Sequence, residues 1–336
     1  MVVTIMKDIF DECEFGKFTL NNRIIRLGHW ERETEDGGFL KPEVFERYER
    51  IASSCGAIVS EVFALDSRDK FYKYSTNANY KGFIKDYKEI TQIAHKYNVP
   101  ILGQLAFVNY NDGFESVDVN TITVEGIRRL QAEIIIFAKK LKFAGFDGIQ
   151  LGIGANFFLN QFISPDSNKR TDDYGGNTLN RTRILLEIIK TIKNNIDDFH
   201  VNCRVNLREE RKNGMTTEEG IEVCKLLEKS GADSIQITGR TTSNIYDENK
   251  RRDFLADIDA LIEAIDIPVI LQGTFTEMDT MNDILNSSKL EFIGTGKPFI
   301  ADPDFLDEWR ENGTGIATCD NCNNCYSKKS SLCFKY

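Results

Sequence analysis

Residues 142–150 read KFAGFDGIQ and residues 228–236 read EKSGADSIQ. The two phrases share one order of events. A helix ends near a lysine, a glycine stops it, an acidic turn follows, and a short apolar run begins. Glycine stops helices because it enters the left-handed conformation without a steric cost. This is the joint by which a helix hands the chain to the next strand of a β/α repeat. Working outward from it, eight short apolar runs punctuate the chain: IIRLG (24–28), GAIVSE (56–61), PILGQL (100–105), DGIQLG (147–152), VNCRVN (201–206), DSIQIT (233–238), PVILQG (268–273) and EFIG (291–294). Each is too short for a helix and is bounded by Gly, Pro, Asp or Asn, so each reads as a buried parallel strand.

Segments with helical periodicity separate the runs: 41–54, 82–97, 123–144, 177–196, 217–230, 255–265, 276–287 and 302–309. Lys41-Pro42 places a proline in a first turn, where its missing N–H costs nothing. The TTEEG that opens at Thr216 puts a hydroxyl residue ahead of acidic ones, a start signal. Eight such alternations predict a closed (β/α)8 TIM barrel; a doubly wound open sheet is the alternative. The barrel is expected to span residues 1–317, with a Cys-rich tail over 318–336. Two long loops, 106–122 and 153–176, follow the third and fourth strands. In a barrel, the loops after strands line the active face.

The chain carries 42 Lys and Arg against 52 Asp and Glu, a formal charge of −10, which argues against a mainly electrostatic nucleic-acid binder. No stretch approaches the ~20 apolar residues of a membrane-spanning helix. MVVTIMKDIFDECEF at the N-terminus lacks the long apolar run of a signal peptide. Of eight cysteines, Cys13, Cys55, Cys203 and Cys224 lie in apolar contexts, and four crowd the C-terminus. The expectation is a cytoplasmic protein without nucleic-acid or membrane partners.

The most informative loop is QFISPDSNKRTDDYGGNTLNRTRILLEI (161–188). Its Arg170, Asp172, Asp173, Arg181 and Arg183 suit a charge-paired clamp, with Gly175-Gly176 turning sharply into a helix. The pattern S-P-x-x-N-x-R-x-D-x-Y-G-G-x-x-x-N-R-x-R, running from Ser164 to Arg183, resembles the signature of the old yellow enzyme family. The resemblance extends from LNNRIIRL near the start to GTGKPFIADP near the end. It implies an FMN-binding barrel that takes hydride from NADH or NADPH and passes it to a small-molecule acceptor, an activated alkene or quinone among them. Relatives of this kind often pair, so a homodimer is one expectation, although nothing in the sequence marks an interface.

The resemblance also implies a set of flavin contacts. Gly273 and Thr274 in LQGTF, and Gly296 and Lys297 in GTGKP, match the phosphate-binding ends of the seventh and eighth strands. Lys297 stands where the family usually has arginine, and it lacks the bidentate fork. Arg204 matches the arginine at the flavin edge, and an inward cation on an apolar strand needs a partner. The alternative for Arg204 is a buried salt bridge. Gln104 matches the glutamine at the pyrimidine edge. Val62 falls where the family has Ala or Gly. Leu27, Gly28, His29 and Trp30 follow the first strand, where backbone touches the ring; Trp30 replaces a small Thr or Cys.

One departure stands out. The family places a His/His or His/Asn pair after the fourth strand, with a Tyr close behind, to polarise and protonate the acceptor. The corresponding positions here are Gly152, Ala155 and Phe157, none of which carries a side-chain donor. Phe107 replaces another family histidine. No catalytic residue follows from the sequence; the acceptor is expected to be held by other groups, Asn156, Tyr110 or Trp30 among the candidates. Among three histidines, His95 and His200 read as structural, and only His29 lies at the barrel mouth.

The tail reads Cys319-Asp-Asn-Cys322-Asn-Asn-Cys325, then Cys333. Four thiols at these spacings suit zinc or an iron–sulfur cluster. Larger relatives of the dienoyl-CoA reductase type carry a cluster at this point with wider spacing. Free thiols are the third reading. Two functions therefore stand open: an FMN-dependent oxidoreductase with an unidentified acceptor, and a flavin-binding or partner-binding barrel without reductase turnover.

Overall fold

The structure is a computed structural model that describes residues 6–29, 39–65, 79–113, 115–155, 157–239, 245–326 and 333, with backbone alone at Glu248 and Asn249. Trp30 and Asn156 lie outside the described residues.

The chain opens with a hairpin that the sequence reading missed, β1 (Cys13–Phe15) and β2 (Phe18–Leu20). Then come β3 (Ile24–Arg26), α1 (Pro42–Ser54), β4 (Ala57–Phe63), α2 (Phe83–Lys96) and β5 (Ile101–Leu105). A second hairpin, β6 (Tyr110–Asp112) and β7 (Glu115–Val117), occupies the loop after β5. The series continues with α3 (Val124–Phe143), β8 (Gly148–Gly152), α4 (Phe158–Ile163), α5 (Thr178–Asn195), β9 (His200–Asn206), α6 (Thr217–Lys229) and β10 (Ser234–Thr238). It ends with α7 (Glu248–Ile262), β11 (Val269–Gly273), α8 (Met278–Asn286), β12 (Phe292–Thr295), α9 (Lys297–Ala301) and α10 (Phe305–Asn312). The eight apolar runs become β3, β4, β5, β8, β9, β10, β11 and β12, all parallel and closed into one barrel in that order. This is the (β/α)8 architecture, not the open sheet.

Two helices differ from expectation. α7 begins at Glu248, seven residues before the predicted start. The helix predicted over 302–309 runs instead over Phe305–Asn312, because Asp302 precedes Pro303 and is driven to an extended conformation (φ −150°, ψ 103°). Capping fixes other starts. Asn177 accepts the Asn180 N–H at 2.9 Å, and Thr216 with Glu219 forms a reciprocal capping box.

The barrel interior has layers. At the N-terminal end, Phe15 and Leu20 of the hairpin pack with Ile25, Ala57, Val59, Ile270 and Phe292, plugging the cylinder. His200 stacks on Phe15 at 5.1 Å, and its Nε2 lies 2.7 Å from Ser234 Oγ. Burial pushes His200 down to about 4, so it is a neutral core residue. His95 likewise serves structure, bonded to Asp147 at 2.9 Å.

Above the plug, branched aliphatic side chains normally fill such a barrel. Here amides do. Gln104 donates to Gln150; Gln150 donates to Asn202 Oδ1 at 2.6 Å and to Gln236 Oε1 at 2.7 Å; Gln236 donates to Gln272 Oε1 at 2.8 Å. A buried polar chain holds only when its members satisfy one another, and this one ends at the barrel mouth.

The 161–188 stretch is a clamp, built differently from the expected charge network. Arg170 pairs with Asp172 and donates to the carbonyls of Val119 and Ile122 at 2.8 and 2.6 Å. Arg181 donates to the carbonyls of Ile163 and Gly176 at 3.0 and 2.6 Å and pairs with Glu219 of α6 at 2.7 Å. Arg183 takes the carbonyl of Asp173, not its carboxylate. The arginines thus satisfy loop carbonyls that burial would otherwise strand. Among the described residues, no helix is long and apolar enough to cross a membrane.

Candidate active site

The C-terminal ends of the strands open into two adjoining cavities of about 590 and 550 Å³ that share Arg204, Glu210, Gly239 and Gln272. The smaller gathers Leu27, Gly28, His29, Gly273, Thr274, Gly296 and Lys297 around Arg204. Segments far apart in the chain therefore meet at one cleft.

Each is placed by local packing. The Leu27 N–H donates to the Thr295 carbonyl at 2.9 Å, which ties the end of β3 to β12. Gly28 lies so close to Gln104 that a Cβ there would sit 2.5 Å from Gln104 Oε1 and 2.6 Å from the Ser60 carbonyl. Gln104 Oε1 is buried and has no hydrogen-bond partner among the described residues. The register of β4 against β5 shifts between Val59 and Val62, a bulge that turns both valines inward and pairs Val62 with Gln104. Arg204 donates to Gln272 Oε1 and to Thr238 Oγ1, each at 3.2 Å, and its guanidinium lies 5.4 Å from the Phe157 ring centre.

The other wall is tighter than the sequence suggested. Thr274 donates its N–H to the Tyr246 hydroxyl, so that amide is not one of those facing the cleft for a ligand. Tyr246 itself lines the cleft, and its hydroxyl lies 2.6 Å from where a Gly273 Cβ would be. Lys297 Nζ is held by Asn321 Oδ1 at 2.5 Å and Asn323 Oδ1 at 2.6 Å. Burial holds Lys297 below the usual lysine range, opposed by the nearby thiols of Cys325, Cys319 and Cys322.

Over β8, Gly152 meets Ala106: a Cβ at position 152 would lie 2.6 Å from the Ala106 Cβ, leaving no room for a larger side chain. Ala155 takes the left-handed conformation (φ 58°), rare for a residue with a Cβ, and donates its N–H to Asn206 Oδ1 at 2.9 Å. Phe157 is buried with Val62, Ala64 and Ala106. Tyr110 is not at the cleft. It packs on Phe107 and Phe158 at 6.3 and 5.7 Å, and burial raises its hydroxyl above the usual tyrosine range.

Cys319, Cys322, Cys325 and Cys333 all line one small cavity beside Lys297. Among the described residues, no three His, Cys, Asp or Glu side chains converge as a set that holds a metal ion. The expected ligand set is thus assembled as neighbours, not as a closed coordination shell.

Sequence reasoning missed Tyr246, Gln272, Asn321 and Asn323. Gln272 was within reach, in the LQGTF segment read for its glycine. The two asparagines flank Cys322 in the tail motif, whose spacing points to its thiols.

Comparison with known proteins gives this cleft a family. A family model described as NADH:flavin oxidoreductase / NADH oxidase family matches residues 8–313. The NADH oxidase of Thermoanaerobacter brockii is 24% identical over 96% of this chain and 54% of that protein. The NADPH dehydrogenase of Listeria innocua is 23% identical over 91% of this chain and 95% of that protein. The chain thus spans about half the length of the first relative and nearly all of the second. In fold it is similar to 2-naphthoyl-CoA reductase in complex with 2-naphthoyl-CoA (TM-score 0.83, 21% identity, 94% of this chain and 54% of the other). It is similar also to morphinone reductase in complex with tetrahydroNAD (TM-score 0.77, 19% identity, 94% and 93%). With nearly the whole barrel matched, the chain belongs to the NADH:flavin oxidoreductase / NADH oxidase family, the old yellow enzymes.

Proposed function

We propose that this protein is an FMN-dependent oxidoreductase that draws hydride from NADH or NADPH and delivers it to a small acceptor not activated in the family's usual way. The observation that carries the reading is the convergence of Gly28, Arg204, Gly273, Gly296 and Lys297 on one cleft, where Gly28 packs against Gln104. These residues fit the cofactor. A buried acceptor such as Gln104 Oε1 costs about 1–3 kcal/mol if nothing meets it, and an N–H on a ring edge would. Arg204 supplies a fixed cation where a reduced ring gathers negative charge, and Lys297 supplies one for a phosphate. The absence of a side chain at Gly28 leaves backbone for the ring to approach.

Bound there, FMN supplies the hydride relay between nicotinamide and acceptor. Arg204 is oriented for this by Gln272, Thr238 and Phe157. On the acceptor side, Gly152, Ala155 and Phe157 offer no donor. Losing one oxyanion-type donor costs on the order of 10²–10³ in rate, so ordinary enone reduction is expected to be slow. The larger cavity is instead lined by Asn206, Arg208, Arg211 and Thr238, with the carboxylates of Glu209 and Glu210, beside the shared Arg204 and Gln272.

The missing donors also favour a second reading, a flavin-binding barrel without turnover. One experiment separates the two. The visible spectrum of the purified, FMN-loaded protein is recorded anaerobically before and after NADH or NADPH. Bleaching supports the oxidoreductase; a spectrum that stays oxidised supports the binding barrel; failure to retain FMN removes both. Fast turnover of cyclohexenone would refute the atypical acceptor. Cys319, Cys322, Cys325 and Cys333, neighbours around one small cavity, are the proposed ligands for zinc or an iron–sulfur cluster. Stoichiometric zinc or iron by elemental analysis would show them closing around metal.

A further inference from the structure

The geometry points to a second task for the cysteine tail: Asn321 and Asn323 are positioning residues of the cofactor site, holding Lys297 toward the cleft between Gly296 and Gly273. The tail leaves the barrel beside that cleft. The Ala317 N–H donates to the Thr276 carbonyl at 2.7 Å, the Met278 N–H donates to the Gly315 carbonyl at 3.0 Å, and Ile316 bridges to Glu277. The chain is therefore pinned just after Thr274 before it turns across the barrel mouth.

The turn itself is unusual. Asn321 and Asn323 both take the left-handed conformation, at φ 57° and 63°, with Cys322 between them. Asparagine tolerates that region better than most residues with a Cβ. Alternating left-handed residues bring both carboxamides to one side, where their oxygens reach Lys297 Nζ at 2.5 and 2.6 Å. Both asparagines also line the cleft with Leu27, Gly273, Thr274 and Gly296. They are thus part of its wall.

The chemistry explains the need. A lysine ammonium is a point charge on a flexible stem, whereas an arginine fork is preorganised for phosphate. Two carbonyl acceptors at hydrogen-bond distance direct the ammonium as the fork would direct a guanidinium. The proposal rests on the FMN reading, and its test keeps the two apart.

The apo form of the full chain is titrated with FMN and, separately, with riboflavin, which lacks the phosphate. Binding is followed by flavin fluorescence. The variant Asn321→Gly with Asn323→Gly removes both carboxamides at positions whose backbone glycine accepts. Its FMN affinity is expected to fall about tenfold, the size of one lost charge-assisted hydrogen bond, with riboflavin affinity unchanged. In a Lys297→Met background the same two substitutions should have no further effect. Equal or tighter FMN binding by the double variant would overturn the proposal. So would a parallel loss of riboflavin, which would indicate general damage to the mouth. The two single substitutions, each expected to give a partial loss of FMN alone, serve if the double variant does not fold. Wild-type protein that binds neither flavin would instead overturn the site reading.

Discussion

Gly28→Ala tests the architecture of the cleft most directly. A β-carbon at position 28 would lie 2.5 Å from Gln104 Oε1, 2.6 Å from the Ser60 carbonyl and 2.8 Å from Gln104 Cδ. Relaxed carbon–oxygen contacts begin near ~3.3 Å, so the neighbours must give by roughly 0.7 Å. Gln104 cannot move alone, because its amide is bonded to Gln150 and through it to Asn202 and Gln236. Ser60 is in β4 and moves only with the strand. Overpacking of this kind costs about 1–3 kcal/mol, which lowers Tm by about 1–4 °C in a domain of this size. A displaced Gln104 should also weaken FMN binding about tenfold, the loss of one hydrogen bond. Gly296→Ala is the control for the stability of the apo protein: its β-carbon would meet the Leu27 carbonyl at an ordinary 3.5 Å, and its φ of −123° suits alanine. Thermal unfolding of the apo proteins and fluorescence titration with FMN are the assays. A Gly28→Ala protein with wild-type Tm and wild-type FMN affinity would refute the packing argument.

Three further outcomes are expected. Arg204→Gln removes the cation held by Gln272 and Thr238; the two-electron midpoint potential of bound FMN should fall by about 30–60 mV, and an unchanged potential in a spectroelectrochemical titration would count against its placement. His200 is held neutral when folded, down to about 4, but takes a proton near 6.5 when unfolded. The stability it contributes is therefore present above 6.5 and lost as pH falls toward 4, about 2 kcal/mol by roughly pH 5; urea unfolding should show this loss, and His200→Gln should flatten it. Arg181→Met strands the Ile163 and Gly176 carbonyls and leaves Glu219 without its cationic partner; unfolding free energy should drop by about 3 kcal/mol, with faster proteolysis within 164–176, and a protein as stable as wild type would show the clamp to be dispensable.

Much of this molecule is written locally. The glycine joints at Gly145 and Gly231, with φ of 91° and 104°, mark helix ends because only a residue without a Cβ sits there easily. Eight apolar runs bounded by such joints leave a parallel barrel as the economical closure, and the family resemblance then nominates Gln104, Arg204, Gly273 and Lys297 at its strand ends. The long 161–188 pattern carried the family by itself. Contacts between distant segments were not legible, because no local periodicity encodes them. The hairpin that plugs the barrel, the amide chain inside it, the Ala106 methyl that fills the space over Gly152, and the tail asparagines on Lys297 all join residues tens to hundreds of positions apart. Such pairings exist only once the barrel closes, and there the choice of partner follows from space and unmet hydrogen bonds. Sequence spacing thus determined which side chains reach the mouth; tertiary packing decided which of them are already engaged, and by what.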